Sequence, residues 1–267
     1  MDAREPLPPP PERAPDLDED FSAGLSPARW VPHYLPQWTT PERSAARYRL
    51  RPDGIELRIE ADQPDWRPED APLRVSNLQT GVYGGPVGSG RGTHRHREDG
   101  LTVRTETPTR LLFAPSRGRV DLTVSASTDE GCMLAAWLIG TEHRGGEDSG
   151  EICVFEIDAA AIGEPTTCRV GIKAHHDPRL RTDMAEVRVP FPASRPHAWT
   201  VVWGAGETVI GCDGAVVRRL AQAPDYPLFL MLDLFETAPP AGEYPKSAVI
   251  HAVRAWSGAG DPGRPLP

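Results

Sequence analysis

The chain holds 30 prolines and 25 glycines among its 267 residues, and this density of breakers constrains the fold more than any other feature. A proline inside a helix removes a hydrogen bond and clashes with the preceding turn. An interior glycine costs roughly 1 kcal/mol against alanine. Few long helices survive such punctuation, and what lies between the breakers is short and strand-like. Ile55-Glu56-Leu57-Arg58-Ile59 and Val120-Asp121-Leu122-Thr123-Val124 alternate apolar with polar residues, the period of a half-buried strand. Met133 to Ile139 is continuously apolar, as expected of a strand covered on both faces. Ile152–Ile157, Trp199–Trp203, Glu207–Cys212, Ala215–Val217, Leu228–Phe235 and Val249–Trp256 read as further strands, with Asp213-Gly214 as a hairpin turn. Short helical turns fit near 26–30 and 157–162. The pattern predicts an all-β sandwich of two antiparallel sheets.

Residues 1–18 are rich in Pro, Glu, Asp and Arg and are expected to form a disordered tail without sheet hydrogen bonds. One domain follows over 19–260, with a C-terminal tail at 261–267; single sandwiches commonly reach about 200–250 residues. A net charge of −9 argues against nucleic acid, whose binding needs a basic patch, and against an anionic membrane surface. No apolar run is long enough to span a bilayer. The N-terminus lacks a basic segment followed by an apolar one. A cytoplasmic location is therefore expected, with a removed or unusual leader left open. Cys132, Cys153, Cys168 and Cys212 form no CxxC pair, which predicts reduced thiols and gives no zinc signal. No cofactor and no metal are expected, and the oligomeric state is not readable.

The stretch that carries chemistry is Gly150-Glu151-Ile152-Cys153-Val154-Phe155-Glu156. In a regular strand Glu151 and Cys153 share a face and Glu156 points away. A β-bulge between them inserts one residue and returns Glu156 to the first face. Positions four strand steps apart have Cα atoms roughly 13 Å apart. If each side chain leans inward by about 4 Å, the carboxyl groups come about 5 Å apart, the separation of a retaining glycosidase. Two glutamates bracketing an apolar strand are also commonly nothing more than its solvated ends.

The wider sequence resembles family 16 glycoside hydrolases of the laminarinase-like, bulged kind, within the concanavalin-like group of sandwiches. These carry Glu-x-Asp-x-x-Glu after an apolar strand ending in Trp, and Met133-Leu134-Ala135-Ala136-Trp137-Leu138-Ile139-Gly140 matches that strand. Arg117-Gly118-Arg119-Val120-Asp121 resembles the strand just before it. His197-Ala198-Trp199 to Trp203 with Asp213-Gly214, then Tyr226 to Leu234, then Ile250 to Trp256, follow in the family's order, and Phe21 to Trp30 fits its opening. The resemblance covers about residues 20–258. It implies a jelly-roll fold, Glu151 as nucleophile, Glu156 as general acid/base, and Trp137 as a wall or floor of a cleft. Glu156 is then expected to have the higher pKa, because an acid must hold its proton near working pH.

Four departures stand out. The family's middle Asp is Cys153, either a small packed hydrophobe or a change in how the two glutamates share protons. Trp137 is the one tryptophan left of the family's Trp-Pro-x-x-Trp platform. Asp233 stands where relatives usually have Asn, and His251 where many place an Asp that helps hold calcium, so no calcium requirement is expected.

Among weaker signals, the alternation in Thr93-His94-Arg95-His96-Arg97 places His94 and His96 on one face. With a third ligand this reads as zinc; otherwise it is a cleft-side loop with His96 toward the ligand, or a plain solvated loop. His175 is a candidate sugar contact, or a cap on a strand end. Asn77, Tyr83 and Gly81–Gly92 read as a long cleft-side loop. Two functions fit: a retaining hydrolase or transglycosylase acting on a β-linked glycan or oligosaccharide, and a lectin-like protein that kept both glutamates without the chemistry.

Overall fold

The computed structural model describes residues 5–97 and 100–261. Over these the chain forms, in order, β1 (Leu17–Glu19), β2 (Arg47–Arg51), β3 (Gly54–Ile59), β4 (Arg74–Gln79), β5 (Gly81–Val82), β6 (Arg110–Leu111), β7 (Gly118–Ser125) and β8 (Cys132–Gly140). There follow β9 (Glu151–Asp158), β10 (Thr166–Lys173), β11 (Asp183–Val189), β12 (His197–Gly204), β13 (Glu207–Cys212), β14 (Ala215–Leu220), β15 (Leu228–Glu236) and β16 (Lys246–Ser257). The α-helix among the described residues is the four-residue turn Pro41–Ser44, as the proline and glycine spacing implies. No helix of the described residues is long and apolar enough to cross a membrane.

Two antiparallel sheets make a sandwich. One runs β14-β13-β12-β7-β16-β3-β2, with β1 also paired to β16; the other runs β11-β10-β9-β8-β15-β4. β3 and β1 share one edge of β16: β3 pairs with Lys246–Ile250 and β1 with Val253–Ala255. His251 lies between them at a bulge. There it is hydrogen-bonded, with Nε2 2.9 Å from Ser125 Oγ and Nδ1 2.7 Å from the Asp53 carbonyl.

The inner faces meet in one apolar core. Leu134, Ala136 and Leu138 of β8, Ile152, Val154 and Phe155 of β9, and Leu230 and Leu232 of β15 face Leu122, Trp199, Val201 and Val253. The ring centroids of Phe155 and Trp199 are 5.0 Å apart. A second cluster covers the opposite face of β8 and β15. There Trp137, Ile139, Phe229 and Met231 lie beneath Tyr34, Leu35, Trp38 and Trp66. β8 is thus buried on both faces, which is why its sequence shows no alternation. β9 lies beside it in the middle of the six-stranded sheet, at the border of this apolar cover.

Two expectations need correction. The segment before Leu17 is not free of sheet contacts over its described residues 5–16. The amide of Leu7 donates to the Gly214 carbonyl, and the amide of Val216 to the Glu5 carbonyl. Leu17 itself opens β1. Composition argued for disorder, but prolines are well suited to a strap lying along an edge, where few amide donors are needed. Asn77 is not in a loop: it is a fully buried residue of β4, opposite Asp233. Of the expected C-terminal tail, all but Asp261 lies outside the described residues.

Candidate active site

β9 carries the expected bulge. Against β8, Trp137 pairs with Cys153 and Ala136 with Phe155, so Val154 is the inserted residue. Against β10, Gly171 pairs with Cys153 and Arg169 with Glu156. Val154 and Phe155 both turn into the core. Glu151, Cys153 and Glu156 consequently share the face turned away from the other sheet. One oxygen of each carboxylate and the Cys153 sulfur lie within 4.8 Å of one another.

β10 adds two cations that the sequence reading missed. Lys173 Nζ lies 3.0 Å from Glu151 Oε1 and 2.6 Å from Glu156 Oε1. Arg169 Nε donates to Glu156 Oε2 at 2.8 Å, and its Nη1 reaches Asp158. The register brings them there: Arg169, Gly171 and Lys173 alternate onto the face that carries the glutamates. Gly171 has φ +149°, and a Cβ there would sit 2.1 Å from the Asp183 carbonyl oxygen, so only glycine lets β11 close against β10 at this point.

The cations reverse one expectation. Burial raises the pKa of Glu156, but Lys173 and Arg169 outweigh it and hold the carboxyl below its ordinary value. Glu156 therefore does not have the raised pKa expected of a resting acid. Burial works against the charge on Lys173, yet Glu151 and Glu156 keep its ammonium above the usual lysine value. Burial, together with the charges of Glu156 and Glu151, pushes the Cys153 thiol well up. It remains a neutral, fully buried side chain whose Sγ lies 3.7 Å from the Arg169 carbonyl oxygen.

Trp137 and Asp233 form a floor beneath the site. Trp137 is 5% exposed and Asp233 not at all, so neither presents an open surface to a ligand. The indole Nε1 of Trp137 donates to Asp233 Oδ2 at 2.6 Å, and Asn77 Nδ2 donates to Asp233 Oδ1 at 2.7 Å. Burial, with the charge of Glu151 nearby, pushes Asp233 up to about 8 despite those two hydrogen bonds. An Asp that stays protonated is electrically equivalent to Asn, which fits its occurrence at this position.

The histidines divide. His175 joins the site, its Nε2 2.8 Å from Glu151 Oε2. His96 does not: it is held by Asp70 and Arg67. His94 comes in instead, packed edge-on against Trp137 at 5.2 Å and against His175 at 5.1 Å between ring centroids. His94 has φ +57°, and its ring still stacks beside that of His96, with centroids 6.0 Å apart and planes 23° from parallel, so the two lie side by side as the sequence pattern suggested. Burial of His94, with His175 beside it, holds its imidazole well below the ordinary value. One ligand atom each of His94, Glu151 and His175 lie within 4.8 Å of one another.

No protein-family model matches the chain, and no curated protein matches it significantly. Solved structures do. The GlcNAcα1-4Gal releasing endo-β-galactosidase from Clostridium perfringens matches with TM-score 0.79 at 20% identity, over 94% of this chain and 65% of that one. The chain thus spans less than two thirds of that protein's length. SCLam, a non-specific endo-β-1,3(4)-glucanase from family 16, matches with TM-score 0.62 at 15% identity, over 94% of each chain. The laminarinase catalytic domain from Thermotoga maritima matches with TM-score 0.59 at 15% identity, over 91% of this chain and 98% of that one. The chain has the concanavalin-like sandwich fold of the family 16 glycoside hydrolases.

Proposed function

We propose that the protein is a retaining glycoside hydrolase or transglycosylase acting on a β-linked glycan or oligosaccharide, with Glu151 as nucleophile and Glu156 as general acid/base. The observation that carries this reading is the bulge at Val154, which brings the two carboxylates to one face with oxygens within 4.8 Å. That is close to the roughly 5–5.5 Å of retaining pairs and short of the 6.5–9.5 Å that leaves room for an attacking water. Glu151 is aimed by its hydrogen bond with His175 and its ion pair with Lys173. Glu156 protonates the leaving oxygen and then activates water.

Because Lys173 and Arg169 favour the ionised form of Glu156, the acid is available mainly at low pH, and an acidic optimum follows. The neighbours' names direct the substrate panel: β-1,3(4)-glucans beside galactosides capped with GlcNAcα1-4Gal. Release of reducing ends from one of these by the wild type and not by Glu151→Gln is the expected result. One feature favours the lectin-like reading: Lys173 bridges both carboxylates and leaves neither free. Saturable binding of a panel glycan with no product from it would establish that reading instead.

A further inference from the structure

We propose that His94, His175 and Glu151 form a binding site for a divalent transition ion of the zinc type at the edge of the candidate active site. The three side chains come from separate segments, the loop between β5 and β6, the loop after β10, and the start of β9. One ligand atom from each lies within 4.8 Å of the others. Zinc ligands at about 2.0–2.1 Å in a tetrahedron stand about 3.3 Å apart, so side-chain adjustments of about an ångström close the site. His175 Nε2 and Glu151 Oε2 are already 2.8 Å apart, and the ion would replace that hydrogen bond.

The loop is braced without any ion. The His94 amide donates to Glu142 Oε1 at 2.6 Å, and Arg95 Nε donates to Glu142 Oε2 at 2.9 Å. Two imidazoles and one carboxylate suit zinc, copper or nickel, and do not suit calcium or magnesium, which require a shell of oxygens. The neighbouring group Glu151, Cys153 and Glu156 is the weaker competitor. Lys173 Nζ, at 3.0 and 2.6 Å from its two carboxylates, already supplies a cation there. On the histidine side the ion meets Glu151 Oε2, whereas Lys173 is paired with Oε1. If Glu151 is the nucleophile, as proposed above, an ion on its carboxylate withdraws the electron pair that attacks the sugar.

The test is a zinc titration of the full chain against a chromophoric chelator, without substrate. The expected result is one equivalent bound with a low-micromolar Kd, insensitive to millimolar Mg²⁺. Loss of an outer-shell partner typically weakens metal sites 10–100-fold, so His94→Gln and His175→Ala should each weaken binding at least about 100-fold. Cys153→Ser should leave it unchanged. Absence of stoichiometric binding, binding that survives both histidine substitutions, or binding lost with Cys153→Ser would overturn the proposal. Melting curves identify any variant that fails to fold. Because no substrate is present, zinc binding stands or falls separately from hydrolysis.

Discussion

The ammonium of Lys173 lies 2.6 Å from Oε1 of Glu156, against the carboxylate that the proposed chemistry needs protonated. Together with Arg169 it holds Glu156 below its ordinary pKa. Removing the Lys173 charge should therefore raise the Glu156 pKa and extend activity to higher pH. Lys173→Met is expected to move the alkaline limb of the kcat/KM profile upward. Cys153→Asp should move it in the same direction, because a carboxylate added beside two others disfavours ionisation. Profiles that overlay the wild type would mean that neither residue governs the acid.

The two glutamates should fail differently. Glu151→Gln removes the nucleophile and is expected to lower turnover at least about a thousandfold at every pH. Glu156→Gln should spare substrates with a good leaving group, which need no proton, more than natural glycans. Equal losses on both substrate classes would contradict the assigned roles. Circular dichroism and melting curves serve as the folding control.

How far the sequence revealed this site depends on whether each contact is local. The offset between Glu151 and Glu156 lies within one strand, and an offset of five can put both on one face only through a bulge, so the pair was readable. Arg169 and Lys173 reach it through the register of β10 on β9, a long-range property. Their alternation with Gly171 was a signal without an address. His94 and His96 do lie side by side, but which of the two packs against Trp137 and His175 depends on contacts between distant segments that the local pattern does not hold. Asn77 was read with the adjacent glycine-rich run, although it lies in β4, whose polar residues are buried against β15 and hide the strand's period. The proline-rich start was read from composition, which cannot register the edge it docks on.

Asp233 supplies a stability test. Its folded pKa is raised to about 8, while an unfolded Asp titrates near 3.9. The native state thus binds a proton that the unfolded chain releases. Stability from this group is fully present below the unfolded pKa and is lost as pH rises toward the folded one, at up to about 1.4 kcal/mol per pH unit. Asp233→Asn has no such loss, so its unfolding free energy should gain on the wild type between about pH 4 and 8. A difference that stays constant with pH would show that Asp233 is ionised in the fold.

The N-terminal strap should contribute to stability. Arg119 Nη1 donates to the Pro8 carbonyl at 2.6 Å, Trp256 Nε1 to the Arg13 carbonyl at 3.0 Å, and Leu7 occupies the space where Gly211 would carry a Cβ. Removing residues 1–13 is expected to lower Tm by several degrees. An unchanged Tm would mean that the strap adds nothing.

The central claim is that Glu151 attacks a sugar across the bulge from Glu156, and covalent trapping tests it most directly. The protein is incubated with fluorosugar inactivators built on the glycans it turns over, which form the glycosyl-enzyme quickly and release it slowly. Intact mass and peptide mapping then locate the adduct. The account predicts one glycosyl group, on Glu151, absent from Glu151→Gln and formed by the Val154-bulged wild type. An adduct on another residue, or turnover of the glycan with inversion at the reacting carbon and no adduct at all, would contradict it.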